Sequence, residues 1–152
     1  MNHKEVFDRV DQEKDHIIDI LRKIIAVDTS VPPGENYDKM IDILEPEFQK
    51  YGFESDRVTV PHNKVKEIPR ELKGERTNLI ARLNNKKPKV SLYAHMDIVP
   101  VDDSWTVDPF NGEIKEGRMY GRGTVDNKGP MACILGAIKV IYELGLRLGW
   151  AS

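Results

Sequence analysis

Two short stretches of the sequence carry side chains that could perform metal or acid–base chemistry. The first is His95-Met96-Asp97, at the end of an apolar run. Because side chains alternate across a strand, His95 and Asp97 are expected to project from one face. A carboxylate beside an imidazole can fix its tautomer and raise its basicity, as a metal-bound histidine requires. The pattern is common, however, and taken alone it describes a surface histidine beside a surface aspartate at least as well.

The second stretch, GRMYGRGTVDNKG (117–129), places Asp126 among four glycines. A dinucleotide-binding loop would carry its third glycine where Asp126 stands, and an anion there would repel a pyrophosphate. A phosphate-binding loop needs Gly-Lys followed by Ser or Thr, whereas this chain has Lys128-Gly129-Pro130. The stretch therefore argues against phosphate binding. It leaves a tight structural turn, or a loop that holds Asp126 for chemistry.

The elements that must position these residues follow from hydrophobic periodicity and from turn residues. Helices are expected from about residue 13 to 25, from 37 to 51 with Pro46 inside, and from 130 to 146. Strands are expected at 54–60 and 77–83, with a loop between them and a small hairpin at 113–119. The apolar run 89–99 predicts an inner strand covered on both faces. This order predicts an α/β fold, a layered mixed sheet with flanking helices.

Composition limits the class of protein. The chain has 152 residues, a formal net charge of −2 and 39% hydrophobic residues, as in one globular domain. No basic stripe dominates any segment, so we expect no nucleic acid partner. The charged N-terminus and the lack of an apolar run of about 20 residues predict no signal peptide and no membrane partner. The single cysteine, Cys133, is expected to pack on the last helix and fits a reducing compartment, so we expect a cytoplasmic protein.

The run HMDIVPVDDSWTVDPFNGEIKEGRMYGRGTVDNKGP (95–130) resembles a known hydrolase family. This is the metallopeptidase and deacylase family of acetylornithine deacetylase, succinyl-diaminopimelate desuccinylase, aminoacylase, carboxypeptidase G2 and related dipeptidases (peptidase family M20). The matching residues occur in order: His95-x-Asp97, Val99-Pro100, Trp105, Pro109-Phe110, Gly121-Arg122-Gly123, Asp126 and Lys128-Gly129. An ordered match of many parts is more specific than any one of them.

The resemblance implies a zinc-dependent exopeptidase-like catalytic domain that cleaves amide bonds. It implies that His95 is a ligand of one metal ion and that Asp126 bridges two. Asp97 is implied to be the catalytic carboxylate that orients the His95 imidazole. Two zinc ions per complete site are implied, with cobalt or manganese as substitutes. The implied substrate is an N-acyl amino acid, of acetylornithine or succinyl-diaminopimelate type, or a short peptide.

The chain departs from this family in the ligands that it lacks. A complete site is implied to need a general-base glutamate, an adjacent glutamate ligand, a further acidic ligand and a late histidine. The sequence has no Glu-Glu pair, and its other histidines, His3, His16 and His62, all precede His95. We therefore expect residues 1–152 to be the N-terminal portion of the catalytic domain, without its remaining strands and without the lid and dimerisation domain.

Two functions follow from this departure. The first is a fragment of a metal-dependent amidohydrolase that binds zinc weakly or not at all and is inactive alone. The alternative is a non-enzymatic remnant that acts as an interaction or structural domain. In either case, missing strands would leave an apolar face uncovered, which predicts self-association.

Overall fold

The computed structural model describes residues 2–69, 71–83 and 90–146. Within these residues, the elements in chain order are α1 (His3–Gln12), α2 (Lys14–Ile25), α3 (Tyr37–Gln49), β1 (Glu54–Thr59), α4 (His62–Val65), β2 (Thr77–Arg82), β3 (Glu113–Lys115), β4 (Arg118–Tyr120) and α5 (Lys128–Glu143). The strands form two antiparallel pairs, β1 with β2 and β3 with β4. The predicted mixture of helices and strands is confirmed. No helix in the described part of the chain is long and apolar enough to cross a bilayer.

The hydrophobic core lies where α2, α3 and α5 meet. Ile20 and Ile24 of α2, Met40 and Leu44 of α3, and Leu135 of α5 are all buried in one cluster. These side chains recur every three or four residues, so each helix presents one apolar stripe to the others. Burying such a side chain contributes about 1.5–3 kcal/mol. The core therefore fixes α5, whose first turn follows Asp126.

The sequence expectations for α3 are met in part. A proline inside a helix commonly kinks or splits it, yet α3 continues past Pro46 to Gln49. Gly52 follows with φ of +80°, the left-handed conformation expected of a glycine that ends a helix. The chain then turns into β1.

The β1–β2 pair confirms the alternation expected at 77–83. Its register pairs Glu54 with Arg82 and Thr59 with Thr77. Leu79 and Ala81 are half-buried, whereas the alternate residues Asn78, Ile80 and Arg82 are exposed. One face of β2 thus packs towards α3, and the other faces solvent.

The predicted inner strand at 89–99 is wrong for the residues that the structure describes. Residues 90–99 belong to no strand and make one isolated parallel bridge, between Ser30 and Ile98. The side chains of Val90, Leu92 and Tyr93 are 68%, 66% and 88% exposed. An apolar run predicts burial, but a strand also needs a neighbour with free backbone groups. The loop after β2 and the tail from residue 147 lie outside the described residues.

Three further details differ from the sequence expectations. The short helix α4 interrupts the loop predicted at 61–76. Helix α1 was not predicted, because its residues include no buried side chain. Cys133 was expected to pack in the interior, but it is exposed on α5.

A network of alternating charges attaches α1 to α5. Glu13, between α1 and α2, is only 5% exposed and contacts two cations. Its carboxylate forms ion pairs with Arg9 and with Lys139, whose Nζ lies 2.8 Å from Glu13 Oε2. Arg9 and Lys139 also both contact Glu143. The buried carboxylate is therefore neutralised from both sides.

Replacing Glu13 with Gln is expected to lower the free energy of unfolding by about 2 kcal/mol, the typical value of a hydrogen bond to a charged group. The amide keeps the shape of the side chain but leaves two cations facing a neutral group. Urea denaturation would measure the loss. Asp8→Asn is the matched control, since the ion pair of Asp8 with Lys4 is exposed and its loss is expected to cost less than about 1 kcal/mol. Equal effects would contradict this role.

The same network predicts acid sensitivity. The hydrogen bond from Lys139 lowers the pKa of Glu13 below its ordinary value of 4.5, against the opposing effect of burial. A carboxyl group with a lowered pKa stabilises the fold above its ordinary pKa, and this stabilisation is lost as the pH falls through its folded value. Stability is therefore expected to fall below about pH 4.5, and less steeply in Glu13→Gln.

Candidate functional site

The side chains of His95 and Asp126 meet in the structure, although they are far apart in sequence. His95 Nε2 lies 2.9 Å from Asp126 Oδ1. The Asp126 carboxylate is 80% exposed and the His95 side chain 33% exposed, so the contact is accessible from solvent. The sequence-based interpretation assigned both residues as metal ligands, and the structure brings them together.

The other ring nitrogen of His95 faces Asp97. Nδ1 lies 3.0 Å from the backbone carbonyl oxygen of Asp97 and 3.3 Å from its Oδ1. A carbonyl oxygen only accepts hydrogen bonds, so Nδ1 donates and carries a proton. The sequence pointed to the Asp97 carboxylate, but its backbone carbonyl is the nearer partner. With Nδ1 engaged, Nε2 is the nitrogen available to an external partner.

The charge around His95 indicates what that partner can be. Burial lowers the pKa of His95, but its hydrogen bonds to the Asp126 carboxylate and to the Asp97 backbone carbonyl outweigh burial and raise the pKa overall. Since Nδ1 already donates, a contact between Nε2 and an ionised carboxylate needs a proton between them. A cation held by both atoms would replace that proton. Imidazole nitrogen and carboxylate oxygen are both zinc ligands, so the donor set fits a divalent transition metal.

The described residues supply few metal donors. Across residues 2–69, 71–83 and 90–146, no group of three or more His, Cys, Asp or Glu side chains could hold a metal ion. His3, His16 and His62 lie on α1, α2 and α4, and none of them lines the cleft beside His95. The structure thus brings together His95 and Asp126, the two residues that the sequence suggested as metal ligands, with Asp97 beside His95.

These groups border an open cleft of about 180 Å³. Val31, Ile98 and Val99 form its apolar walls, and His95, Asp97 and Asp126 supply its polar groups. A larger cleft of about 250 Å³ lies at the end of β1 and contains His62. Only the smaller cleft combines an imidazole with two carboxylates, so it is the candidate site.

Glycines allow the Asp126 loop to pack closely. Gly123 has φ of +87°, and a Cβ there would lie 2.8 Å from Cγ2 of Ile98. A Cβ on Gly129 would lie 2.0 Å from the carbonyl oxygen of Thr124. A side chain at position 123 would therefore clash with the Ile98 side chain, and one at position 129 with the backbone of Thr124.

Lys128 anchors the loop from beneath. Its side chain is fully buried, and its Nζ donates a hydrogen bond of 2.7 Å to the carbonyl oxygen of Val27, just after α2. Burial lowers the pKa of Lys128 to about 8, against the opposing charge of Asp28. The ammonium therefore points into the protein and not towards a phosphate, which agrees with the sequence argument against phosphate binding.

Arg122 braces the opposite side of the loop. Its guanidinium lies 5.1 Å from the centroid of the Trp105 ring, and Nη2 donates a long hydrogen bond of 3.4 Å to the Pro100 carbonyl. These contacts favour a bracing role for Arg122 over a role in binding a carboxylate. Arg122 thereby holds the segment after Val99 near the cleft.

A second support of the site could not be read from the sequence. Val31 N donates to the Ile98 carbonyl at 2.9 Å, and Ile98 N donates to the Thr29 carbonyl at 3.2 Å. The Thr29 hydroxyl donates to the Met96 carbonyl at 2.6 Å. The segment after α2 therefore holds the backbone next to His95 and Asp97. Its signal in the sequence is only the VPPG turn (31–34) that follows α2.

Comparison with protein families places this site within a known family. Residues 91–149, which include His95, Asp97 and Asp126, match the family described as Peptidase family M20/M25/M40. Succinyl-diaminopimelate desuccinylase from Rhodospirillum centenum is 51% identical over 68 residues, covering 43% of this chain and 18% of that protein. The same enzyme from Parvibaculum lavamentivorans is 33% identical over 120 residues, covering 78% of this chain and 28% of that protein.

Solved structures share the fold. Human carnosine dipeptidase 1 superposes with a TM-score of 0.74 at 23% identity, and the dipeptidase Dug1p from Saccharomyces cerevisiae with 0.74 at 21%. Each match covers 95% of this chain and 32% of the solved chain. This chain therefore spans about a third or less of the length of these proteins. The matched profile thus places residues 91–149 in peptidase family M20/M25/M40, and the related desuccinylases extend this similarity over most of the chain.

Proposed function

We propose that this chain contributes part of the catalytic site of a metal-dependent amidohydrolase. His95 and Asp126 would hold zinc, with cobalt or manganese as substitutes, and Asp97 would orient His95. The proposed substrate is an N-acyl amino acid or a short peptide, as the names of the related desuccinylases and dipeptidases suggest. The observation that carries this proposal is the 2.9 Å contact between His95 Nε2 and Asp126 Oδ1.

The residues of this chain would prepare the site as follows. The Asp97 carbonyl keeps one proton of His95 on Nδ1, which leaves Nε2 as the nitrogen that would share a metal ion with Asp126 in place of the proton between them. The exposed Asp126 carboxylate supplies negative charge at the mouth of the cleft. Val31, Ile98 and Val99 offer apolar contact to the substrate beside the reacting amide. A bound divalent metal ion supplies Lewis-acid polarisation of a carbonyl group and activates water.

We further propose that the ligands that complete this site are supplied by polypeptide other than residues 1–152. Structural zinc sites use four protein ligands and catalytic ones three, whereas this cleft offers one imidazole and one accessible carboxylate besides Asp97. On this proposal, residues 1–152 form the N-terminal portion of the catalytic domain. The general-base glutamate and the remaining ligands would come from outside it. The purified chain is then expected to bind zinc weakly and to lack amidase activity.

The test combines metal analysis with an amidase assay. The purified chain is titrated with zinc by calorimetry, and hydrolysis of an N-acetyl and an N-succinyl amino acid is followed with zinc present. The proposal expects weak zinc binding, localised to His95 and Asp126, without turnover. Turnover by this chain alone would refute the need for further ligands. A complete lack of zinc binding would refute a zinc site formed by His95 and Asp126 of this chain alone.

A second function is favoured by one observation, the exposure of the apolar segment Val90–Tyr93. Val90, Leu92 and Tyr93 are each more than half exposed within a short stretch. Contiguous apolar surface commonly marks an interaction site. The chain could therefore act as an interaction domain, and it is expected to self-associate through this segment. Concentration-dependent sedimentation that disappears in Leu92→Asp would support this function, and a monomer at all concentrations would refute it.

The proposed location is the cytoplasm. Cys133 is the only cysteine in the chain, and its thiol is exposed. A free, exposed thiol is more readily maintained in a reducing compartment.

A further inference from the structure

The guanidinium of Arg76 clasps the turn that follows α2. Nη1 donates to the Gly34 carbonyl at 2.9 Å and to the Tyr37 hydroxyl at 2.8 Å, and Nη2 donates to the Pro33 carbonyl at 3.2 Å. The same group lies 5.1 Å from the centroid of the Tyr37 ring. One side chain thus crosslinks the turn to the start of α3.

The turn is shaped around this guanidinium. Gly34 has φ of +79°, and a Cβ there would lie 1.9 Å from Nη1 of Arg76. The backbone of Arg76 is itself fixed, because its carbonyl accepts a hydrogen bond of 2.9 Å from Val60 N beside the β1–β2 pair. Arg76 therefore links the β1–β2 pair to the turn, so that the position of the turn depends on the position of this pair.

The clasped turn leads directly to the candidate site. Gly34 N donates a hydrogen bond of 2.7 Å to the Ser30 carbonyl. Val31, which follows Ser30 in the chain, donates a backbone hydrogen bond to Ile98 and lines the cleft. Asp97, which lies beside Ile98, is close enough to Tyr37 for its charge to act on the phenol. Burial is the main cause that raises the pKa of Tyr37, Arg76 opposes it, and Asp97 adds to it.

We propose that Arg76 is a positioning residue for the candidate site. Through the turn at residues 30–34 it holds Val31 against Ile98, and so fixes the backbone that sets His95 and Asp97. No part of this role requires Arg76 to touch a metal ion or a substrate. Its relevance to catalysis rests on the proposed function, but the effect on His95 does not.

The test compares Arg76→Gln with Arg57→Gln. Arg57 is a matched control, because it also makes several hydrogen bonds, to Asp42 and Glu45, but joins β1 to α3 away from the cleft. The first measurement is the NMR signals of the His95 ring nitrogens in metal-free protein. The second is zinc affinity by calorimetry, and urea denaturation reports global stability.

Arg76→Gln is expected to shift or broaden the His95 ring signals and to weaken zinc binding roughly 10–100-fold, the usual cost of removing a group that supports a metal ligand. Arg57→Gln is expected to leave both unchanged. Arg76→Lys keeps the positive charge but lacks the several fixed N–H donors of the guanidinium. It should therefore retain only part of the wild-type zinc affinity and give His95 ring signals that differ from those of the wild type.

The outcomes separate the two proposals. If the wild type binds no zinc but Arg76→Gln alters His95, the metal site fails and the positioning role stands. If the His95 signals in Arg76→Gln match those of Arg57→Gln, the positioning role is overturned, whatever the zinc affinity. Should Arg76→Gln fail to fold, Arg76→Lys decides by the same comparison, and an unaltered His95 in that variant overturns the role.

Discussion

Replacing His95 with alanine is expected to abolish measurable zinc binding by the purified chain. The structure offers zinc two accessible side-chain donors at this cleft, His95 and Asp126, and this change removes one of them outright. The expected loss in affinity exceeds about a hundredfold, the upper range for a group that merely supports a ligand. Competition with a chromophoric chelator would measure it.

Two variants make this result specific. Asp126→Asn keeps the shape of the second donor but removes its charge, and it is expected to cause a comparable loss. His62→Ala is the matched control, because it removes an imidazole from the other cleft, beside Glu75 and Arg76. Zinc affinity in His62→Ala should equal that of the wild type. A loss in His62→Ala as large as that in His95→Ala would place the zinc elsewhere.

The second large effect is expected from Gly129→Ala. Gly129 lies in the first turn of α5, where alanine would normally be favoured over glycine by about 1 kcal/mol. Here the added Cβ would lie 2.0 Å from the Thr124 carbonyl oxygen. A backbone oxygen cannot rotate away as a side chain can. We therefore expect a net loss of about 3 kcal/mol in the free energy of unfolding, at the upper end for overpacking, measured by urea denaturation.

The same helix provides two comparisons for Gly129→Ala. A Cβ on Gly136 would lie 2.5 Å from Cγ1 of Ile17, which is a side-chain atom and not a backbone atom, so Gly136→Ala should cost less. Cys133→Ala changes an exposed side chain and should lie within about 0.5 kcal/mol of the wild type. Because Thr124 precedes Asp126 by two residues, only Gly129→Ala should also weaken zinc binding. If Gly129→Ala proved as stable as Cys133→Ala, the loop that contains Thr124 and Asp126 would not pack against Gly129 as described.

Local patterns predicted most of the elements, and tertiary contacts explain the failures. The periodicity of Ile20 and Ile24 is enough to identify α2, and the alternation around Leu79 is enough to identify β2, because each pattern reports one buried face. The run that contains Leu92 and Tyr93 shows only that these residues are apolar, and it does not indicate one buried face. Whether such a run forms a strand depends on a partner elsewhere in the chain, and the described residues provide one bridge, at Ile98.

The candidate site likewise has some features that could be predicted from the sequence and others that could not. His95 and Asp97 could be related from sequence, since residues two apart share a face of an extended chain. The approach of Asp126 followed from the resemblance to a family and not from spacing. The roles of Arg76 and Lys128 depend on backbone carbonyls of Gly34 and Val27, far away in the chain. A carbonyl group is present in every residue, so no sequence pattern marks these partners.

The exposed thiol on α5 has a practical consequence. Cys133 is the only cysteine in the chain, so a maleimide-linked fluorophore or nitroxide would attach at one place without further engineering. Lys128 begins this helix, and five residues at 1.5 Å per residue put the label about 7.5 Å along the helix axis from it. Spectroscopy at Cys133 would thus report on any added polypeptide that docks near Asp126.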